Sequence, residues 1–132
     1  METDTCVDPI PAILDFLSGK VSEIGTRVHG EKFPDNVTLP ALSVAYIGAT
    51  YKWVRVQLII KVACDADSTN QDMATAMGIW VKVDKLLNNQ APNVCGLNSG
   101  YTRRDDGSPR QSREKNTDNA LVAAYYLFEM GG

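Results

Sequence analysis

The longest regular pattern in the chain is an alternation: Val54, Val56, Leu58, Ile60, Val62 and Cys64 are apolar at every second position, while Arg55, Gln57 and Lys61 hold the opposite register. A period of two sends successive side chains to opposite faces of an extended chain. Residues 53–64 are therefore predicted to be a strand with one apolar face, Cys64 included, and only Ile59 breaks the alternation. Residues 41–47 also suit a strand, and the short 48–52 segment predicts an antiparallel hairpin between the two.

Helical spacing appears twice. Asp8 followed by Pro9 has the form of an N-cap with proline at the first helical position, and Ile10, Ile13, Leu14 and Leu17 then predict a helix over residues 9–17. Gly19 can end it, while Val21 and Ile24 could carry the stripe one turn further. Ser68 and Gln71 stand at capping-box spacing before a broad stripe of Met73, Ala76, Ile79, Trp80, Val83, Leu86 and Leu87. This second helix is expected to end near residue 87, before Asn88, Asn89 and Pro92, and to pack on the apolar face of the long strand.

Between these elements, residues 25–40 read as a short extended piece around Arg27 and Val28 and then a surface loop with Pro34, Asp35 and Asn36. After Val94 a strand is expected through Tyr101, and a last strand from about residue 120 to 130. That last strand is apolar on both faces, with Leu121, Tyr125 and Leu127 on one and Val122, Tyr126, Phe128 and Met130 on the other. Such a strand is either central or covered by a partner. Residues 103–119 contain no apolar side chain and are predicted to be a long, charged, mobile hairpin loop. The expected fold is α+β: a small, mostly antiparallel sheet with two helices packed on it and the charged loop before the C-terminal strand. At 132 residues and 44% apolar content, one domain with one core is the natural reading.

Charge narrows the function classes. Thirteen Lys and Arg against sixteen Asp and Glu leave −3, which disfavours a protein built to grip phosphates, although a mildly acidic wall could enclose passing DNA without binding it. Cys6, Cys64 and Cys95 are odd in number and widely spaced, so a reducing compartment is expected, with Cys64 as a buried thiol. The N-terminal stretch has no basic region leading into an apolar run, and no apolar stretch reaches spanning length. The chain is thus expected to stay cytosolic until it joins an assembly, and the Asn36-Val37-Thr38 sequon is read as chance.

The search for chemistry yields no site. His29, the single histidine, has no glycine-framed Ser or Cys turn to serve, and phosphate-loop, dinucleotide and HExxH signatures are missing. Asp65 and Asp67 lack the glycine and distal glutamate of a calcium loop and fit helix capping better. No catalytic residue, cofactor or metal is expected.

The order helix, Arg27-Val28-His29-Gly30, proline loop, Leu39-Pro40-Ala41-Leu42, hairpin, helix and terminal strands resembles the tail terminator and tail completion proteins of lambda-type siphophages. His29 stands where an aromatic is commoner in that family. The resemblance implies a structural virion protein, a hexameric ring that caps the head-proximal end of the tail tube. Such a ring stops polymerisation of the major tail tube protein and offers a docking surface to a head-completion or stopper protein, with genomic DNA passing unbound through the lumen. Arg103, Arg104, Asp105, Asp106, Arg110, Arg113, Glu114 and Lys115 are the expected interaction residues, because mixed signs suit register-setting contacts between polar surfaces. A head-completion subunit of the neck, or a small nucleic-acid-binding module using the same segment, are the alternatives.

Overall fold

The strand predicted from alternation lies at the centre of the architecture, because its apolar face has helices to bury it and both of its edges find long partners. A computed structural model describes residues 10–50, 53–65, 70–88, 102–104 and 109–129. Along the chain these form α1 (Ile10–Leu17), β1 (Val28–Gly30), β2 (Ala41–Thr50), β3 (Trp53–Val62), α2 (Gln71–Leu87), β4 (Thr102–Arg104), β5 (Arg110–Arg113) and β6 (Ala120–Glu129). The sheet order is β1-β2-β3-β6-β4, and β5 also pairs with β6. Every pairing is antiparallel except β1 with β2. The α+β class with a mostly antiparallel sheet is as predicted.

β3 and β6 run side by side without a slip, from Trp53 opposite Glu129 to Val62 opposite Ala120. The β2–β3 hairpin slips once, between Tyr46 and Gly48, which leaves Ile47 as a bulge. Both helices lie on one face of the sheet. Ile13 and Leu17 of α1, Ile79, Trp80, Val83 and Leu87 of α2, and Leu42, Val44, Val56, Leu58, Ile60, Val122, Tyr126 and Phe128 of the strands share a single buried cluster. α1 ends at Leu17, Gly19 adopts φ 78° beyond it, and Val21 and Ile24 complete the stripe from the following turns. Close packing of α1 on β1 is set at Gly30, where a Cβ would lie 3.4 Å from both Ile10 and Leu14.

The residues that carried the family resemblance meet in space. The Arg27 guanidinium donates to the carbonyls of Pro40 (2.8 Å) and Glu23 (2.7 Å), and the Arg27 carbonyl accepts the Leu42 N–H at 3.0 Å. Arg27 thus ties the start of β2, entered through a cis Leu39–Pro40 peptide, to the turn after α1. This accounts for those residues by local architecture.

Three expectations change, and one lies outside the described residues. β3 and its alternation end at Val62, and Cys64, two residues beyond the strand, is exposed rather than buried. The N-cap of α2 is Asn70, at φ 60° with no side-chain cap bond, so the helix starts after the predicted capping box; Ser68 and Asp67 lie outside the described residues. The strand expected over 94–101 also lies outside them, as do Cys6, Cys95 and Met130; the edge strand that is described is Thr102–Arg104. Finally, residues 103–119 are not one long hairpin loop: β4 and β5 both pair with β6, and the turn shortens to residues 114–119. A strand without apolar side chains still forms there because backbone pairing needs none, and β6 offers an open edge.

Candidate interaction surface

Two features outside the core bear on function: the charged segment before β6, and the face of the sheet turned away from the helices. In the charged segment, Arg113 ends β5 and points to the helix side. Its guanidinium makes a two-pronged ion pair with Asp72, donating to both carboxylate oxygens, and also reaches the Asn70 side chain and the Asp118 carbonyl, each at 3.1 Å. Asp72, in the first turn of α2, is 4% exposed and also accepts the N–H groups of Asp65 (3.1 Å) and Met73 (2.7 Å). A buried carboxylate persists when every lone pair is used and a cation is in contact. The Arg113 hydrogen bonds, aided by the two backbone donors and opposed by burial, hold the Asp72 carboxyl well below the usual carboxylate range.

The next residue works on the other side. Glu114 pairs with Lys61 of β3 at 2.7 Å and accepts from Thr117 (2.7 Å) and Asn119 (3.0 Å), so its acidity is also strengthened, chiefly by Lys61. The turn closes through the Glu114 N–H to the Asn119 carbonyl, with Asn116 and Asp118 at positive φ. The Asn119 side chain accepts the Cys64 N–H at 3.0 Å, which fastens the turn to the end of β3.

Of the eight expected interaction residues, Arg113 and Glu114 are therefore engaged within the chain. Arg110 and Lys115 are exposed, Arg110 opposite Ala123 at the start of β5 and Lys115 in the turn. Arg103 and Arg104 pair through β4 with Leu127 and Tyr126, and Asp105 and Asp106 lie outside the described residues. Sequence reasoning missed Asp72 and Lys61 as partners; an acid in the first turn of a helix was the visible signal for Asp72.

The outer face of the sheet carries Ala45 on β2, Arg55, Gln57, Ile59 and Lys61 on β3, and Leu121, Ala123, Tyr125 and Leu127 on β6, all half-buried. At the β1 end the 31–40 loop folds towards it: the Lys61 ammonium lies 4.5 Å from the centre of the Phe33 ring, and His29 meets Phe33 edge-on. Arg55 lies over the Tyr125 ring at 4.3 Å, and Gln57 donates to the Tyr125 hydroxyl at 3.1 Å. At the hairpin end, Gly48, Ala49, Trp53, Arg55 and Leu127 line an apolar depression of about 270 Å³. Ile47, which bulges from β2, is 44% exposed.

Among the described residues no group of three or more His, Cys, Asp or Glu side chains could hold a metal ion, and no helix is long and apolar enough to cross a membrane. Comparison with protein-family models finds no match to this chain, and comparison with curated proteins finds none with significant sequence similarity.

Proposed function

We propose that the protein is a structural assembly subunit whose outer sheet face is covered by a protein neighbour. The observation that carries this reading is the outer row of β6: Leu121, Ala123, Tyr125 and Leu127 present no charged side chain to the surface, and Ile59 of β3 joins them. A sheet with one face in water normally alternates apolar inside with polar outside. β6 departs from that rule from Leu121 to Leu127, and an apolar patch rimmed by Arg55, Lys61 and Arg110 is the composition of an interface centre with a polar rim.

Taken with the resemblance to tail terminators, the concrete form of the proposal is a hexameric virion ring at the head-proximal end of a tail tube, contacting the major tail tube protein and a head-completion protein while DNA passes through the lumen. Such work needs surfaces and no covalent chemistry. The test is Leu127→Glu beside the wild type. Mass in solution and negatively stained images of tails from a complemented lysate are the readouts. A charge on the face should leave the melting temperature within a few degrees and abolish the six-fold cap. Normal caps from a folded variant would refute the use of this face. Caps of a symmetry other than six, or three with duplicated copies, would refute the ring.

A further inference from the structure

We infer that β5 and its turn, residues 110–119, form a polar-locked strap that opens from β6 separately from the rest of the sheet and bares the β6 edge at residues 120–123. β5 exposes Arg110, Gln111 and Ser112 and buries Arg113 only in part, and no residue from 110 to 119 belongs to the hydrophobic core. The strap is held by a four-residue ladder, by two side chains that leave adjacent positions in opposite directions, Arg113 to Asp72 on the helix side and Glu114 to Lys61 on the outer side, and by the Asn119 side chain on the Cys64 N–H. Beside it, Met73, Ala74 and Met77 of α2 face Gln111, Ser112 and Arg113 across an open groove of about 480 Å³. No apolar side chain of the strap fills that groove.

The contrast with the neighbouring ladder is what sets the strap apart. β3 and β6 share ten paired positions, and Val54, Val56, Leu58, Ile60, Val122, Ala124, Tyr126 and Phe128 are buried around them. Separating β3 from β6 opens the core, whereas lifting the strap returns charged and amide groups to water and exposes little beyond Ala120 and Val122. Ion pairs and a short ladder lose far less on hydration than a core does, so the strap belongs to the low-stability end of the native ensemble. The pairing on β6 is also divided. β4 leaves off at Arg104 opposite Tyr126 and β5 begins at Arg110 opposite Ala123, so six residues advance on one side for three on the other. The strap therefore does not continue the register of β4 and can lift without dragging it. Once lifted, it leaves a row of backbone donors and acceptors on β6, the template on which an extended chain pairs.

Hydrogen exchange of the full chain at neutral pH, read by mass spectrometry over a series of urea concentrations below the unfolding transition, tests this. Peptides covering 110–119 should exchange at least about tenfold faster than those covering 54–62, with a rate nearly independent of urea, since local opening exposes little surface. Glu114→Gln should speed exchange of 110–119 several-fold at the lowest urea concentrations, where local opening carries it; the paired variant Asp72→Asn/Arg113→Gln, which leaves no buried charge alone, should do the same. If 110–119 and 54–62 exchange at one rate with one urea dependence in the wild type, or if Glu114→Gln leaves the exchange of 110–119 at low urea unchanged, β5 opens only with the whole domain and the inference fails. The wild-type urea series decides the question by itself should the paired variant not fold.

Discussion

Tyr126→Phe removes a single oxygen from the middle of the domain, and the structure says what that oxygen does. Tyr126 is 0% exposed on the core face of β6, and its hydroxyl accepts the Trp80 indole N–H at 3.1 Å while donating to the Asp84 carboxylate at 2.8 Å. It thereby links the outer end of β6 to two successive turns of α2. The aromatic ring is kept in the variant, so no cavity opens and the loss is confined to hydrogen bonding. A neutral bond contributes about 0.5 to 1.5 kcal/mol net and one to a charged group about 1.5 to 3. Because Asp84 is only half-buried and can turn to water, the lower ends apply, and a loss of about 2 kcal/mol is expected, roughly 6 to 10 °C in melting temperature for a domain of this size. Urea unfolding followed by circular dichroism measures it, with the slope against urea expected to be unchanged. Tyr46→Phe is the control, since Tyr46 is 42% exposed and its change should stay within about 0.5 kcal/mol. A cycle with Trp80→Phe should return a coupling of about 1 kcal/mol for the Trp80 bond alone. If the two Tyr→Phe variants unfold at the same urea concentration, the hydroxyl carries no bridging role and the account of how α2 is keyed to β6 is wrong.

Further outcomes concern the charged segment and the thiol. Glu114 and Asp72 both have folded-state pKa values depressed below their unfolded values, so their contribution is complete above the unfolded pKa and is lost as pH falls through the folded one. Urea midpoints at pH 7 and pH 3 should therefore differ less in Glu114→Gln than in the wild type; an equal difference would refute the Lys61 pairing. Replacing residues 105–115 by a Gly-Ser turn removes β5 and leaves the buried Asp72 carboxylate without Arg113, so the melting temperature should fall. An unchanged value would restore the reading of this stretch as a solvated loop. Cys64 is exposed, and a maleimide added to native protein should modify it at a rate close to that of the urea-unfolded chain, as mapped by peptide mass; strong protection would place it back in the core.

Much of the framework was legible along the chain because the signals are periodic and local. Alternation in 53–62 and the helical stripes of α1 and α2 each report which face must leave water, and the buried set follows them closely, from Ile10 and Leu17 to Ile79, Val83 and Leu87. The two-faced character of β6 was also visible, since Leu121, Tyr125 and Leu127 are apolar against the alternation. That β6 lies beside β3 in a ten-residue ladder, with helices on one side only, was decided by tertiary structure, because a strand's partners depend on contacts distant in sequence. The same holds for polar pairing. Asp72 meets Arg113 across forty-one residues and Lys61 meets Glu114 across fifty-three, and no local pattern encodes which of several carboxylates a given cation will reach. For the same reason a stretch without apolar residues read as a loop, although an open edge on β6 was enough to draw residues 110–113 into the sheet.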